Sequence, residues 1–98
     1  MAQNNNTIKR ADLQDMKQLD ARQQLMVILM EECGEVIQEA SKIMRFGNDA
    51  SKLTKELGDL QFMINLTANH LGIDSVSIGV HANEKRDKLK KYSNLIDK

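Results

Sequence analysis

From Leu25 onward, apolar residues recur at steps of three and four: Leu25, Ile28, Leu29, Val36, Ile37, Ala40, Ile43 and Met44. That is the period of an amphipathic α-helix with a wide apolar stripe. Asp20 stands where an N-cap is needed, and the stripe predicts a helix to about Phe46, followed by Gly47 as the residue that ends it. Asn48-Asp49 then predicts a turn that caps a second helix over about Ser51 to Leu71. Leu53, Leu57, Leu60, Ile64, Thr67 and Leu71 mark the expected buried side of that helix, and Gly72 stops it. Asp74 or Ser75 caps a third helix to about Tyr92, weakly apolar at first and strongly basic in its second half. Upstream, Met1 to Thr7 are polar and Asn-rich and are expected to be frayed, while Ile8, Leu13, Met16 and Leu19 allow a short helix over residues 8–19.

Short links between long helices force antiparallel neighbours, so the expected fold is an all-α antiparallel helical bundle in a single domain, residues 1–98. Composition agrees: Leu, Met, Lys, Glu, Gln and Ala dominate and proline is absent. A chain of 98 residues buries a modest fraction of its surface, so a second subunit is expected to finish the core, as a homodimer or a dimer of dimers. The single cysteine, Cys33, excludes an intrachain disulfide and reads as a small buried filler. With no secretory signal and no long apolar run, the expected compartment is the cytoplasm.

Net charge is zero, which argues against a general affinity for nucleic acid polymers or membranes. The distribution is uneven. Residues 31–59 carry seven acids against four bases, and residues 84–98 carry six bases against three acids. Residues three apart on a helix share a face, so Glu32 projects with Glu35, and Glu56 with Asp59. Glu32 also falls in register with Leu25, Leu29 and Val36, so the acids interrupt an apolar face. Counted from a hairpin turn centred near residue 48, Glu32 and Glu35 lie 16 and 13 residues before it, and Glu56 and Asp59 lie 8 and 11 after it. The pairs thus fall at similar heights, with Asp59 expected nearest Glu35. Converging carboxylates repel unless they are protonated or bind cations, and oxygen ligands without His or Cys select hard cations such as Mg²⁺ or Mn²⁺.

The stretches EECGEVIQEASKIMRFG and KELGDLQFMINL, on successive helices, resemble the all-α nucleotide pyrophosphohydrolases of the MazG type. The basic end, EKRDKLKKYSNLI, resembles the small single-domain versions found in phages and bacteria, and the likeness covers about residues 20–96. The resemblance implies that Glu32, Glu35, Glu56 and Asp59 are Mg²⁺ ligands, with Mn²⁺ as a possible substitute. It implies that Glu31 orients or deprotonates the attacking water or touches a further metal. Lys85, Lys88, Lys91 and Asn83 on the third helix would then contact the phosphates of a nucleotide substrate. The implied reaction is hydrolysis of a (deoxy)nucleoside triphosphate between the α and β phosphates, giving a monophosphate and pyrophosphate. A phosphoribosyl-ATP pyrophosphohydrolase is the rival within the family. A non-enzymatic helical interaction module is the rival outside it, and it would match the four acids with Lys or Arg.

Other residues are read more plainly. Lys42 and Arg45 are expected at the surface, and Glu39 as an outer acid or an exposed one. His70 and His81 match no metal-binding spacing. Phe46, Phe62 and Tyr92 are the side chains able to stack on a base, and Gln23, Gln24, Asn65 and Asn69 those able to read its edge.

Overall fold

A computed structural model describes residues 16–96. The fraying expected at residues 1–7 and most of the short helix expected over 8–19 lie outside them. A 3₁₀ turn over Met16–Gln18 leads into three α-helices, α1 (Ala21–Phe46), α2 (Ser51–Leu71) and α3 (Ser75–Tyr92), with no strand among the described residues. The fold is all-α. None of these helices is long and apolar enough to cross a membrane.

The helix ends follow from local chemistry. Asp20 and Gln23 form a reciprocal capping box: the Gln23 N–H donates to Asp20 Oδ1 at 2.8 Å, and the Asp20 N–H donates to Gln23 Oε1 at 3.1 Å. Two of the N-terminal donors that a helix leaves unpaired are thereby satisfied. Gly47 closes α1 with φ of 68°, a left-handed backbone that side chains with a Cβ rarely adopt, and its N–H reaches the Ile43 carbonyl at 2.8 Å. Asp49 then starts α2, accepting from the Ser51 N–H at 3.0 Å and the Ser51 hydroxyl at 2.7 Å. The Ser51 hydroxyl is the main reason that the Asp49 carboxyl is held below its ordinary pKa. Gly72 repeats the left-handed stop at φ 66°. Of the two candidate caps for α3 it is Asp74 that acts, accepting from the Val76 N–H at 2.8 Å.

Two compact units divide the chain, Met1–Thr67 and Ala68–Lys98. Within the first, carboxylates of α1 and α2 meet although the chain between them turns over only four residues, 47–50, so α2 folds back along α1. The inward line of α1 is Leu25, Leu29, Glu32, Val36, Glu39 and Ile43, spaced four and three alternately; that of α2 is Leu53, Glu56, Leu60, Met63 and Thr67. Leu25 and Met63 are the most buried apolar side chains. The wide apolar stripe expected on α1 therefore divides: Ile37 and Met44 stand exposed, as does Met30. On α2, Leu57 and Ile64 are exposed rather than buried. The cause is geometric, because one neighbouring helix covers a narrower arc than these apolar residues span. Within the second unit, α3 has no buried residue and its whole basic half faces solvent, apart from the partly covered Leu89 and Lys90.

Candidate metal centre

The inward line of α1 is interrupted by Glu32 and that of α2 by Glu56, with Asp59 one turn further on. Because α2 folds back, the three acids converge, and one carboxylate oxygen from each lies within 4.8 Å of the others. At that separation and an effective dielectric near 20, each pair of charges repels by about 3 kcal/mol, less where solvent screens the partly exposed Asp59. Lys55, on the first turns of α2, offsets part of this. Its ammonium lies 2.8 Å from Asp59 Oδ2 and 3.9 Å from Glu56 Oε2. The two acids in turn push the Lys55 pKa upward, chiefly through the hydrogen bond to Asp59.

Glu32 receives less: burial, Asp59 and Glu56 raise its pKa, Lys55 lowers it more weakly through space, and Lys55 makes no ion pair with Glu32. Its Oε2 is buried without any hydrogen-bond partner, and no Lys or Arg pairs with it among the described residues. Burial raises its pKa first, and the charges of Asp59 and then Glu56 raise it further. A buried acceptor left unpaired costs free energy, and a cation at this point would satisfy it. Three converging carboxylate oxygens with no His or Cys are the donor set of a hard divalent cation, so the residues present fit such an ion. Lys55 does not block that occupancy, since its side chain is 71% exposed and free to swing outward.

The remaining expected site residues sort themselves differently. Glu35 is exposed and stands outside the group of three, so Asp59 meets Glu32 rather than the Glu35 foreseen for it. The reason is rotational: Glu32 continues the Leu25–Leu29–Val36 line, whereas Glu35 sits about 60° around the helix from it. Glu31 is also exposed. Glu39 is buried, at 8% exposure, rather than exposed, and its Oε2 accepts from the Nζ of the partly exposed Lys42 at 3.3 Å. Cys33 is exposed, not buried, because it faces away from α2. His70 and His81 are at the surface, with His81 Nδ1 2.9 Å from Glu84 Oε1.

Asn83, Lys85, Lys88 and Lys91 are all exposed on α3. Lys85, Lys88 and Lys91 run along one side, but Asn83 lies about 160° around the helix from Lys85, so the four do not form one patch. Lys55 is the residue of the cluster that the sequence analysis above does not single out. Its spacing of four before Asp59 was the available signal.

The family model for the MazG nucleotide pyrophosphohydrolase domain matches residues 20–92. That segment contains all three helices and each of the three converging acids. No curated protein and no solved structure matches the chain.

Proposed function

Since the chain belongs to the MazG nucleotide pyrophosphohydrolase family, we propose that it hydrolyses a (deoxy)nucleoside triphosphate between the α and β phosphates, with Mg²⁺ held by Glu32, Glu56 and Asp59. The observation that carries this reading is the convergence of those three carboxylates on successive helices, with a buried oxygen of Glu32 left unpaired. An interaction module would need an ion pair for each of them, and among the described residues Lys55 pairs with Asp59 and Glu56 but not with Glu32.

Bound Mg²⁺ supplies an acidified water, a template for the phosphate oxygens and neutralisation of the leaving group. The side chains divide the remaining work. Glu32, Glu56 and Asp59 would hold the cation, and Glu35, at the exposed end of the same helical turn, would be the further ligand for a second ion or a substrate-bound one. Glu31 accepts the proton of the attacking water. The water oxygen adds at phosphorus, the α–β anhydride bond breaks, and the products are a nucleoside monophosphate and pyrophosphate. Lys55, 2.8 Å from Asp59 Oδ2, would yield that carboxylate to a bound cation and damp the remaining negative charge. Lys85, Lys88 and Lys91 neutralise the β and γ phosphates, and Asn83 takes a separate contact on the other side of α3.

Two measurements test this. A panel of canonical and modified nucleotides, with phosphoribosyl-ATP among them, is expected to release pyrophosphate with Mg²⁺ in at least one case. Orthophosphate as the sole first product would mean β–γ cleavage and a different enzyme. Lys88→Ala is expected to raise KM or lower kcat without altering Mg²⁺ affinity in the absence of substrate. Unchanged kinetics would return Lys88 to the role of a solvated surface charge.

A further inference from the structure

Lys55 stands one residue before Glu56 and four before Asp59, so the helix that delivers two acids to the cluster delivers a cation with them. Its Nζ lies 2.8 Å from Asp59 Oδ2 and 3.9 Å from Glu56 Oε2, although the side chain is 71% exposed. Helix stability does not account for this contact. In an isolated helix the favourable order places the acid four residues before the base, and here the base comes first. An exposed pair also contributes little to a fold. What the contact does change is the occupancy of the carboxylates, because an ammonium already holds two of the three. We infer that Lys55 is a tethered counter-ion that couples the two ligands of this centre, opposing a divalent cation that arrives alone and favouring one that arrives with a nucleotide.

The coupling rests on the function proposed above and assigns a regulation to that same site. Three carboxylates and one ammonium leave two negative charges, enough to attract a divalent cation. To admit one, Lys55 gives up its hydrogen bond to Asp59. Its ammonium cannot leave the neighbourhood, since its backbone is fixed in α2 beside Glu56. It therefore stays close to a like charge, at a site partly closed to water: the Glu56 side chain is 14% exposed and Glu32 Oε2 is buried. Repulsion there is screened less than at the open surface.

Phosphate changes the balance. A nucleotide bound to the cation presents anionic oxygens, and a lysine is a compact charge with three rotatable donors that accepts a new partner without a fixed geometry. Lys55 thus loses its partner to a bare cation, but exchanges one partner for another when phosphate comes with the metal. The effect is reciprocal: whatever factor the nucleotide adds to metal affinity, the metal adds to nucleotide affinity. Lys52, one turn earlier on α2, is the natural control. It borders a polar hollow at the hairpin turn with Glu39, Asn48, Asp49 and Ser51, and its charge acts on Asp49 rather than on the cluster.

The test is calorimetric titration of the full chain with Mg²⁺ alone, and again with the α,β-methylene analogue of the nucleotide that releases most pyrophosphate. Lys55→Met keeps the stem and removes the charge. It is expected to bind Mg²⁺ alone about three- to tenfold more tightly than wild type. It is also expected to lose at least that factor from the tightening that the analogue produces. Damage to the fold would weaken binding, so a merely structural role does not predict a tighter site. Lys55→Arg keeps the charge and is expected to stay within about twofold of wild type. Lys52→Met changes the net charge equally and is expected to do the same, because an exposed charge further off is screened to about that level. Equal tightening in Lys52→Met and Lys55→Met would reduce the effect to the general field and overturn the inference. A Lys55→Met protein with Mg²⁺ affinity no higher than wild type, or with the same response to the analogue, would overturn it too, while Mg²⁺ binding by wild type left the proposed function standing. A nucleotide panel without pyrophosphate release, or no Mg²⁺ binding by either protein with or without the analogue, would remove the proposed function and the coupling together.

Discussion

Glu32→Gln is expected to end pyrophosphate release, a loss of at least about a hundredfold, since even an outer-shell partner of a metal site can cost that much. The same change is expected to leave the metal-free protein as stable as wild type or more so. Both effects come from one atom pair. Glu32 is the acid whose oxygen is buried without a partner and whose charge is opposed by Asp59 and Glu56. The amide keeps the volume and removes the charge. The pH dependence gives an internal check. The folded-state pKa of Glu32 lies above its ordinary value of 4.5, so the folded protein holds this proton more tightly than the unfolded chain does. Its contribution to stability is complete below about pH 4.5 and is lost as pH rises through the raised pKa. Metal-free wild type should therefore lose stability over that window, and Glu32→Gln should lose less. Near-normal turnover in the variant would remove Glu32 from the metal centre. An identical pH profile in both proteins would show that its charge is relieved in some other way.

Mg²⁺ is expected to raise the Tm of the wild-type protein substantially. A cation that binds the folded state alone stabilises it by RT ln(1 + [L]/Kd), about 2.7 kcal/mol at a hundredfold excess over Kd. For a domain of this length that corresponds to a rise of roughly ten degrees or more. The source of the effect is local: among the described residues Lys55 is the one cation paired within the cluster of three carboxylates, which leaves two negative charges uncompensated. Na⁺ at matched ionic strength is the control, because screening by itself also eases carboxylate repulsion. A non-hydrolysable nucleotide added with Mg²⁺ covers the case in which substrate oxygens complete the coordination. Equal Tm in Mg²⁺ and Na⁺, with and without nucleotide, would exclude a metal centre and favour an interaction module. Loss of the shift in Glu32→Gln would tie it to this cluster.

The helices were legible in the sequence because their signals are local. Asp20 with Gln23, Gly47, Asp49, Gly72 and Asp74 each act within a few residues of where they stand, and each ends or begins a helix where its chemistry demands. The acidic pairs were legible for the same reason, since a spacing of three residues puts two side chains on one side of any helix. What periodicity could not decide was which side of α1 turns inward. Apolar residues cover more than half of its circumference, so the line through Leu25, Leu29 and Val36 and the line through Ile37, Ala40 and Met44 are equally good helical stripes. Only the return of α2 chose between them. That one rotation put Glu32 in the cluster and Glu35 outside it, buried Glu39 and exposed Cys33. It also set Lys55 among the carboxylates, since a cation four residues from Asp59 becomes part of a metal centre only when a third acid arrives from another helix. Sequence spacing determines what shares a face within one helix; the packing of a second helix determines which face meets which, and a site built from two helices belongs to the second kind of information.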